Sequence, residues 1–174
     1  GTKGAIDDAL GPLLIGRNPL EYRALTRDMW GPNFYEPIAI GALDMALNDL
    51  RGQALGVSVA ELFGGRLRER IPAYASAMNY REGEEPEQQY PAEAARLVEQ
   101  GFKALKMRLG RYSVRREAKV AEAVRKAVGP DIKLFCDANA AYTLGSALEM
   151  GEALADLDFG FFEEPLPQSP EYTG

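Results

Sequence analysis

Hydrophobic positions change their period near residue 70, and the change divides the chain into two differently built parts, 1–68 and 69–174. Before it, apolar residues recur at helical spacing. Ile40, Leu43, Leu47 and Leu50 form one stripe of a long helix. Ser58 with Glu61 three residues on is a capping box that predicts a second, short helix. Val57 and Leu62 are placed as its hydrophobic staple, and Gly64-Gly65 ends it. After the change, short apolar runs alternate with helical stretches. Strand one is predicted from Ile71 to about Ala75 and strand two from Leu105 to Gly110. Strand three ends Phe135-Cys136-Asp137-Ala138-Asn139, and strand four starts near Phe159 and ends Phe161-Phe162-Glu163-Glu164-Pro165. Between them Pro91 opens a helix with Ala94, Leu97 and Val98 inward, closed by Gly101. Ser113 caps a helix carrying Val120, Val124 and Val128, and Thr143 caps one with Leu144, Leu148 and Ala155. Strand and helix alternating through short connections imply a parallel sheet, closed as a barrel or doubly wound.

Three of the strands finish on charge. Side chains alternate along a strand, so Lys106 and Arg108 share one face, roughly 7 Å apart, while Leu105, Met107 and Leu109 take the other. By the same alternation Asp137 and Asn139 share a face opposite Leu134, Cys136 and Ala138, and Glu163 shares one with Phe161. The steps from Lys106 to Asp137 and from Asp137 to Glu163 each fit one strand-plus-helix unit of a (β/α)8 barrel, which spends roughly 250 residues on eight of them. Charges at the carboxyl ends of parallel strands are where barrel enzymes do chemistry. The competing explanation is a structural ion-pair cluster. It is the weaker one, because buried charges are seldom kept without a task.

Composition removes several other functions. The chain has 174 residues, 46% hydrophobic and 26% charged, enough for a sizeable core. Its net charge of −6, with no basic stripe, argues against nucleic acid, and no apolar run is long enough for a membrane span. There is no histidine, so a Ser-His-Asp or Cys-His centre and a His-ligated metal are excluded within these residues. No Walker-type phosphate loop and no dinucleotide-binding turn is present. The single cysteine, Cys136, is read as a core residue of strand three in a reducing, cytoplasmic setting. Asp44 and Asp49 are read as solvated or capping charges, Trp30 as packing, and Glu82, Glu84, Glu85 and Glu87 as a solvated acidic turn. Carboxylates, a lysine, an arginine and a hard cation remain to carry the chemistry.

The strand-end residues, in order, resemble those of the enolase superfamily, and within it the mandelate racemase and muconate-lactonizing group. Residues 38–65 resemble the last helices of that family's capping domain. Gly101-Phe102-Lys103-Ala104-Leu105-Lys106, Asp137-Ala138-Asn139 and Glu163-Glu164-Pro165 then follow in family order. The resemblance implies an incomplete enolase-type (β/α)8 barrel of about four βα units, preceded by capping-domain helices. It further implies abstraction of the proton α to a carboxylate, giving an enediolate stabilised by Mg²⁺, with Mn²⁺ as a substitute. By motif position Asp137 and Glu163 are the first two metal ligands. Glu164 stands behind them, Asn139 contacts substrate or a ligand carboxylate, and Lys106 partners the substrate carboxylate or enolate. Where the family usually has a second lysine as general base, this chain has Arg108. A guanidinium keeps its proton to about pH 12 or beyond, so Arg108 is a fixed cation that binds or polarises substrate. One-base dehydration of an acid sugar is therefore expected ahead of racemisation, epimerisation or cycloisomerisation. The rival from another class is a catalytically silent half-barrel serving as an assembly module. A third metal ligand and an opposite-face base are expected beyond residue 174. The open edges of a four-stranded parallel sheet lead us to expect a homo-oligomer.

Overall fold

The structure, a computed structural model, describes residues 1–33 and 35–169. The chain forms two compact units, Gly1–Ile71 and Pro72–Gly174. The first is helical. Helix α1 (Thr2–Gly4) runs through a π-helical turn, Ala5–Leu10, into α2 (Gly11–Leu14). A 3-10 turn, Pro19–Glu21, is capped by Asn18, whose side chain accepts the Leu20 N–H at 3.0 Å, and leads into α3 (Tyr22–Asn33). Helix α4 (Pro37–Leu55) opens on proline and stops at Gly56, in the left-handed region at φ 69°. The predicted stripe on it is only partly inward. Ile40 and Leu47 are buried, but Leu50 is 50% exposed, because ten residues at 3.6 per turn leave it rotated about 80° from Ile40. The Ser58–Glu61 capping box is present at the start of α5 (Val59–Leu62). Asp44 is not a free surface charge: it accepts the Tyr22 hydroxyl at 2.6 Å and the amide of buried Asn48 at 3.2 Å.

The second unit holds the sheet. Strands β1 (Ala75–Ser76), β2 (Ala104–Arg108), β3 (Lys133–Asp137) and β4 (Phe159–Glu163) alternate with helices α6 (Pro86–Glu99), α7 (Val114–Val128) and α8 (Leu144–Asp156). The strands pair in the order β1-β2-β3-β4, all parallel. Leu105, Met107, Leu134 and Cys136 point from β2 and β3 into a core completed by Tyr90, Ala94, Val120, Val124, Ala147, Met150 and Leu154 of the helices. The strands are buried on that face as the alternation requires.

Several boundaries differ from expectation. Only two residues of strand one pair with β2. Helix α6 begins at Pro86 and takes Pro91 into its second turn. Pro86, which lacks an N–H where the first turn needs none, makes the better start. Ser113 stands at the N-cap of α7 with extended backbone angles but no side-chain cap bond. On α8 the inward side is Ala147, Met150 and Leu154, while Leu144 and Leu148 are 52% and 62% exposed. That helix is apolar on two sides, so periodicity alone did not choose between them.

Candidate active site

Strand register puts the charged residues in a row. Arg108 lies beside Asp137, and Asp137 beside Glu163, at the carboxyl ends of β2, β3 and β4. On the face opposite Leu105 and Met107, the Lys106 ammonium donates to Asp137 Oδ2 at 3.2 Å and to Glu163 Oε2 at 2.6 Å. Arg108 Nη1 donates to Asp137 Oδ1 at 2.8 Å, and the same oxygen accepts the backbone N–H of Asn139 at 2.9 Å. Asp137 is only 7% exposed, so its charge is compensated by these contacts rather than by water. The hydrogen bond to Glu163 holds the Lys106 pKa above the ordinary lysine value, with a smaller contribution from Asp137. Lys106 also lies 5.8 Å from the centroid of the Tyr74 ring.

Four of the sequence-predicted residues thus converge: Lys106, Arg108, Asp137 and Glu163. Asn139 meets them through its main chain alone. Strand β3 ends at Asp137, and the backbone turns left-handed at Asn139 (φ 49°), so the strand alternation that put both side chains on one face no longer applies. Glu164 is also left-handed (φ 42°), and its carboxylate accepts from Gln168 Nε2 at 2.9 Å.

Left-handed residues recur where the chain leaves each strand: Met78 after β1, Gly110 after β2, Asn139 and Ala140 after β3, Glu164 after β4. Four of these positions sit in consecutive exits bordering the charged row, and non-glycine residues hold this conformation only where surroundings enforce it. Here the enforcement is visible. Ala138, Ala140 and Tyr142 N–H groups bond the carbonyls of Glu163, Glu164 and Pro165 at 3.0, 2.7 and 3.1 Å, zipping the third exit to the fourth. These exits could not be read from the sequence, because only Gly110 among them carries a glycine signal.

Asp137 and Glu163 both place an oxygen within hydrogen-bond distance of one ammonium, so the two carboxylates are directed at a common point. An all-oxygen, doubly negative pair is the donor set a hard divalent cation prefers, and Mg²⁺ commonly fills its other positions with water and substrate oxygens. Among the described residues no group of three Asp, Glu, His or Cys gathers around a point where a metal would sit. The pair therefore fits Mg²⁺ as a partial ligand set.

Residues 1–64 match the family model for the mandelate racemase / muconate lactonizing enzyme N-terminal domain, and residues 89–173 match that for the enolase C-terminal domain-like fold. The chain belongs to the mandelate racemase/muconate lactonizing enzyme group of the enolase superfamily. Within that group it is 35% identical over 170 residues to a D-galactarolactone cycloisomerase of Agrobacterium fabrum, covering 93% of this chain and 44% of the relative. It is 37% identical over 127 residues to an arabinonate dehydratase of Saccharolobus solfataricus, covering 73% and 34%. A mandelate racemase/muconate lactonizing protein of Paracoccus denitrificans, solved in complex with magnesium, superposes with a TM-score of 0.82 at 32% identity, covering 96% of this chain and 48% of that one. Other enolase-superfamily relatives are racemases and epimerases. The chain spans half the length of these relatives or less, and β1–β4 are part of an enolase-type barrel. No helix among the described residues is long and apolar enough to cross a membrane.

Proposed function

We propose that the complete protein removes the proton α to the carboxylate of an acid sugar and eliminates a β-oxygen, acting as a metal-dependent dehydratase. The observation that carries this is the convergence of Asp137 and Glu163 on the Lys106 ammonium, with the Arg108 guanidinium bound to Asp137 beside it. Asp137 and Glu163 would hold Mg²⁺, with Mn²⁺ as its substitute. A divalent ion there supplies Lewis-acid stabilisation of the negative charge that develops on the substrate carboxylate.

The chain's own residues then have definite tasks. Lys106, on the same face as Asp137 and Glu163, places a positive charge where the substrate carboxylate gains electron density. Arg108 does not serve as a base, since its guanidinium stays charged; bound to Asp137, it fixes that carboxylate and presents its remaining donors to substrate. In the elimination the α C–H pair becomes the Cα–Cβ double bond, the Cβ–O bond breaks, and the departing oxygen takes up a proton to leave as water. The base that accepts the α proton is assigned to residues outside the 174. Glu164 and Asn139 are assigned supporting places, Asn139 through its N–H on Asp137.

Relatives named as cycloisomerases favour a second reading. If the leaving oxygen is tethered in a ring, the same elimination opens the ring with no loss of mass. Mass spectrometry of the product separates the two: loss of water marks the dehydratase, unchanged mass the cycloisomerase. Should the α proton of both enantiomers exchange with D₂O and nothing eliminate, the racemase or epimerase reading replaces both.

The metal site is tested by calorimetric Mg²⁺ titration of the complete protein carrying Asp137→Asn or Glu163→Gln. Each is expected to weaken binding by about tenfold or more. Unchanged affinity in both would return the four residues to a structural ion-pair cluster and the protein to an assembly role.

A further inference from the structure

Glu117, in the first turn of α7, is 1% exposed, and its partners are neutral donors from three separate segments. Its Oε1 accepts the consecutive backbone N–H groups of Gly110, Arg111 and Tyr112 at 2.9, 2.8 and 3.0 Å, and the Tyr80 hydroxyl at 2.6 Å. Its Oε2 accepts the Tyr142 hydroxyl. Tyr80 follows β1, residues 110–112 follow β2, and Tyr142 follows β3. Tyr142 in turn gives its N–H to Pro165, after β4. Burial first, and the bond to Glu117 second, push the Tyr80 and Tyr142 phenols far above the ordinary tyrosine range, so both remain donors.

One buried carboxylate therefore gathers the exits of β1, β2 and β3, and reaches that of β4 through Tyr142. The exit residues it holds begin two residues after Arg108 and five after Asp137. At Gly110 (φ 98°) a Cβ would lie 2.5 Å from Ala141 Cβ and 2.8 Å from the Ala138 carbonyl oxygen, so the second and third exits touch there as well. A charge this buried is retained at a large desolvation cost, which five hydrogen bonds offset.

We propose that Glu117 is a positioning residue of the active site, fixing the strand exits so that Arg108 and Asp137 are held in register for substrate. This rests on reading the strand-end row as an active site. A purely structural clamp of the same build exists on the same helix. Near the other end of α7 the Arg125 guanidinium donates to the carbonyls of Gly129, Ile132, Leu157 and Asp158 at 2.9, 2.7, 2.9 and 2.9 Å, all in segments that lead into β3 and β4. Arg125 orders the loops at the sheet edge away from the charged row and supplies the comparison.

The experiment uses the complete protein with Glu117→Ala, Glu117→Gln and Arg125→Met. Amide exchange is read over 108–112 and 138–142, Mg²⁺ affinity by calorimetry, and kcat and KM from deuterium uptake by a panel of aldonic acids in D₂O, well below each melting temperature. Glu117→Ala is expected to lower kcat by about tenfold or more, since small displacements of reacting groups are costly. KM should change much less, and the exit amides should lose about tenfold in protection while β2 and β3 keep theirs. Glu117→Gln, whose amide oxygen still accepts the backbone N–H groups, should restore much of kcat. Arg125→Met should lower the melting temperature and leave kcat alone. A wild-type kcat in Glu117→Ala, or an equal loss in Arg125→Met, overturns the proposal. If the unmutated protein exchanges no α proton, the proposed reaction falls, and Mg²⁺ affinity takes the place of kcat. Weakening by Glu117→Ala but not by Arg125→Met then supports positioning, and any other pattern overturns it.

Discussion

Cys136 stands between the chemistry and the core, next to Asp137 in sequence but on the opposite face of β3 and fully buried. Burial, with a lesser contribution from the Asp137 and Glu117 charges, pushes its thiol from 9.0 up to about 12. The unfolded chain loses that proton from about pH 9, and the folded one does not. Stability from this group is therefore complete below pH 9 and declines as pH rises from 9 towards 12, at about 1.4 kcal/mol per pH unit. The buried tyrosines Tyr80, Tyr90 and Tyr142 are shifted in the same sense but begin from 10.0. Between pH 9 and 10, then, denaturant unfolding of Cys136→Ala should vary less with pH than that of the parent, whatever its absolute stability. Equal slopes in that interval would show that the thiol is not held neutral. Cys136, Lys106, Arg108 and Asp137 were legible from strand alternation because β2 and β3 pair without a break, and Glu163 because it lies beyond the register shift between β3 and β4, where the pairing with Asp137 is restored. Asn139 was not, since alternation was extended past the point where the backbone turns left-handed.

Elements were legible where local chemistry alone decides them. The Ser58–Glu61 box and the Thr143 cap are realised, the latter reciprocated by Ser146 at the third helical position. The start of α7 looked alike in sequence and differs in fact. Ser113 makes no side-chain cap bond, and the inward Glu117 carboxylate takes the N–H groups of the segment before the helix instead. The two caps should therefore respond differently to the same change. Thr143→Ala is expected to cost about 1 kcal/mol and Ser113→Ala less than about 0.5 kcal/mol, read from urea midpoints at constant slope. Equal costs would mean that Ser113 caps its helix in solution. The inward side of α8 is not legible for the opposite reason. Which of two apolar stripes is buried depends on packing against β4 and α7, information no single helix carries.

For the whole molecule, the parallel sheet sets the behaviour of the 174-residue chain. Helices α6, α7 and α8 cover the face of β2 and β3 that carries Leu105, Met107, Leu134 and Cys136. The other face holds an aromatic cluster beside the charged row: Phe135 and Phe161 stack at 4.2 Å between centroids, and Tyr74 meets them edge-on at 5.5 and 6.2 Å. Gly160 makes the stack possible, since a Cβ there would lie 2.6 Å from the Phe135 ring. Tyr74 and Phe161 remain 42% and 38% exposed, and β1 and β4 form the two edges of the described sheet. Parallel sheets are normally buried on both faces, and unpaired edges invite pairing with another chain. In a closed (β/α)8 barrel the face opposite the helices fills the interior with side chains, which suits a cluster of rings packed on one another. The 174-residue chain is accordingly expected to self-associate with rising concentration in sedimentation velocity runs. Phe161→Ser should reduce that association by removing half of the stack. A polypeptide of the relatives' full length should lack it. A chain of 174 residues that stays monomeric throughout, with slowly exchanging amides along β1 and β4, would show instead that four strands and three helices are sufficient by themselves.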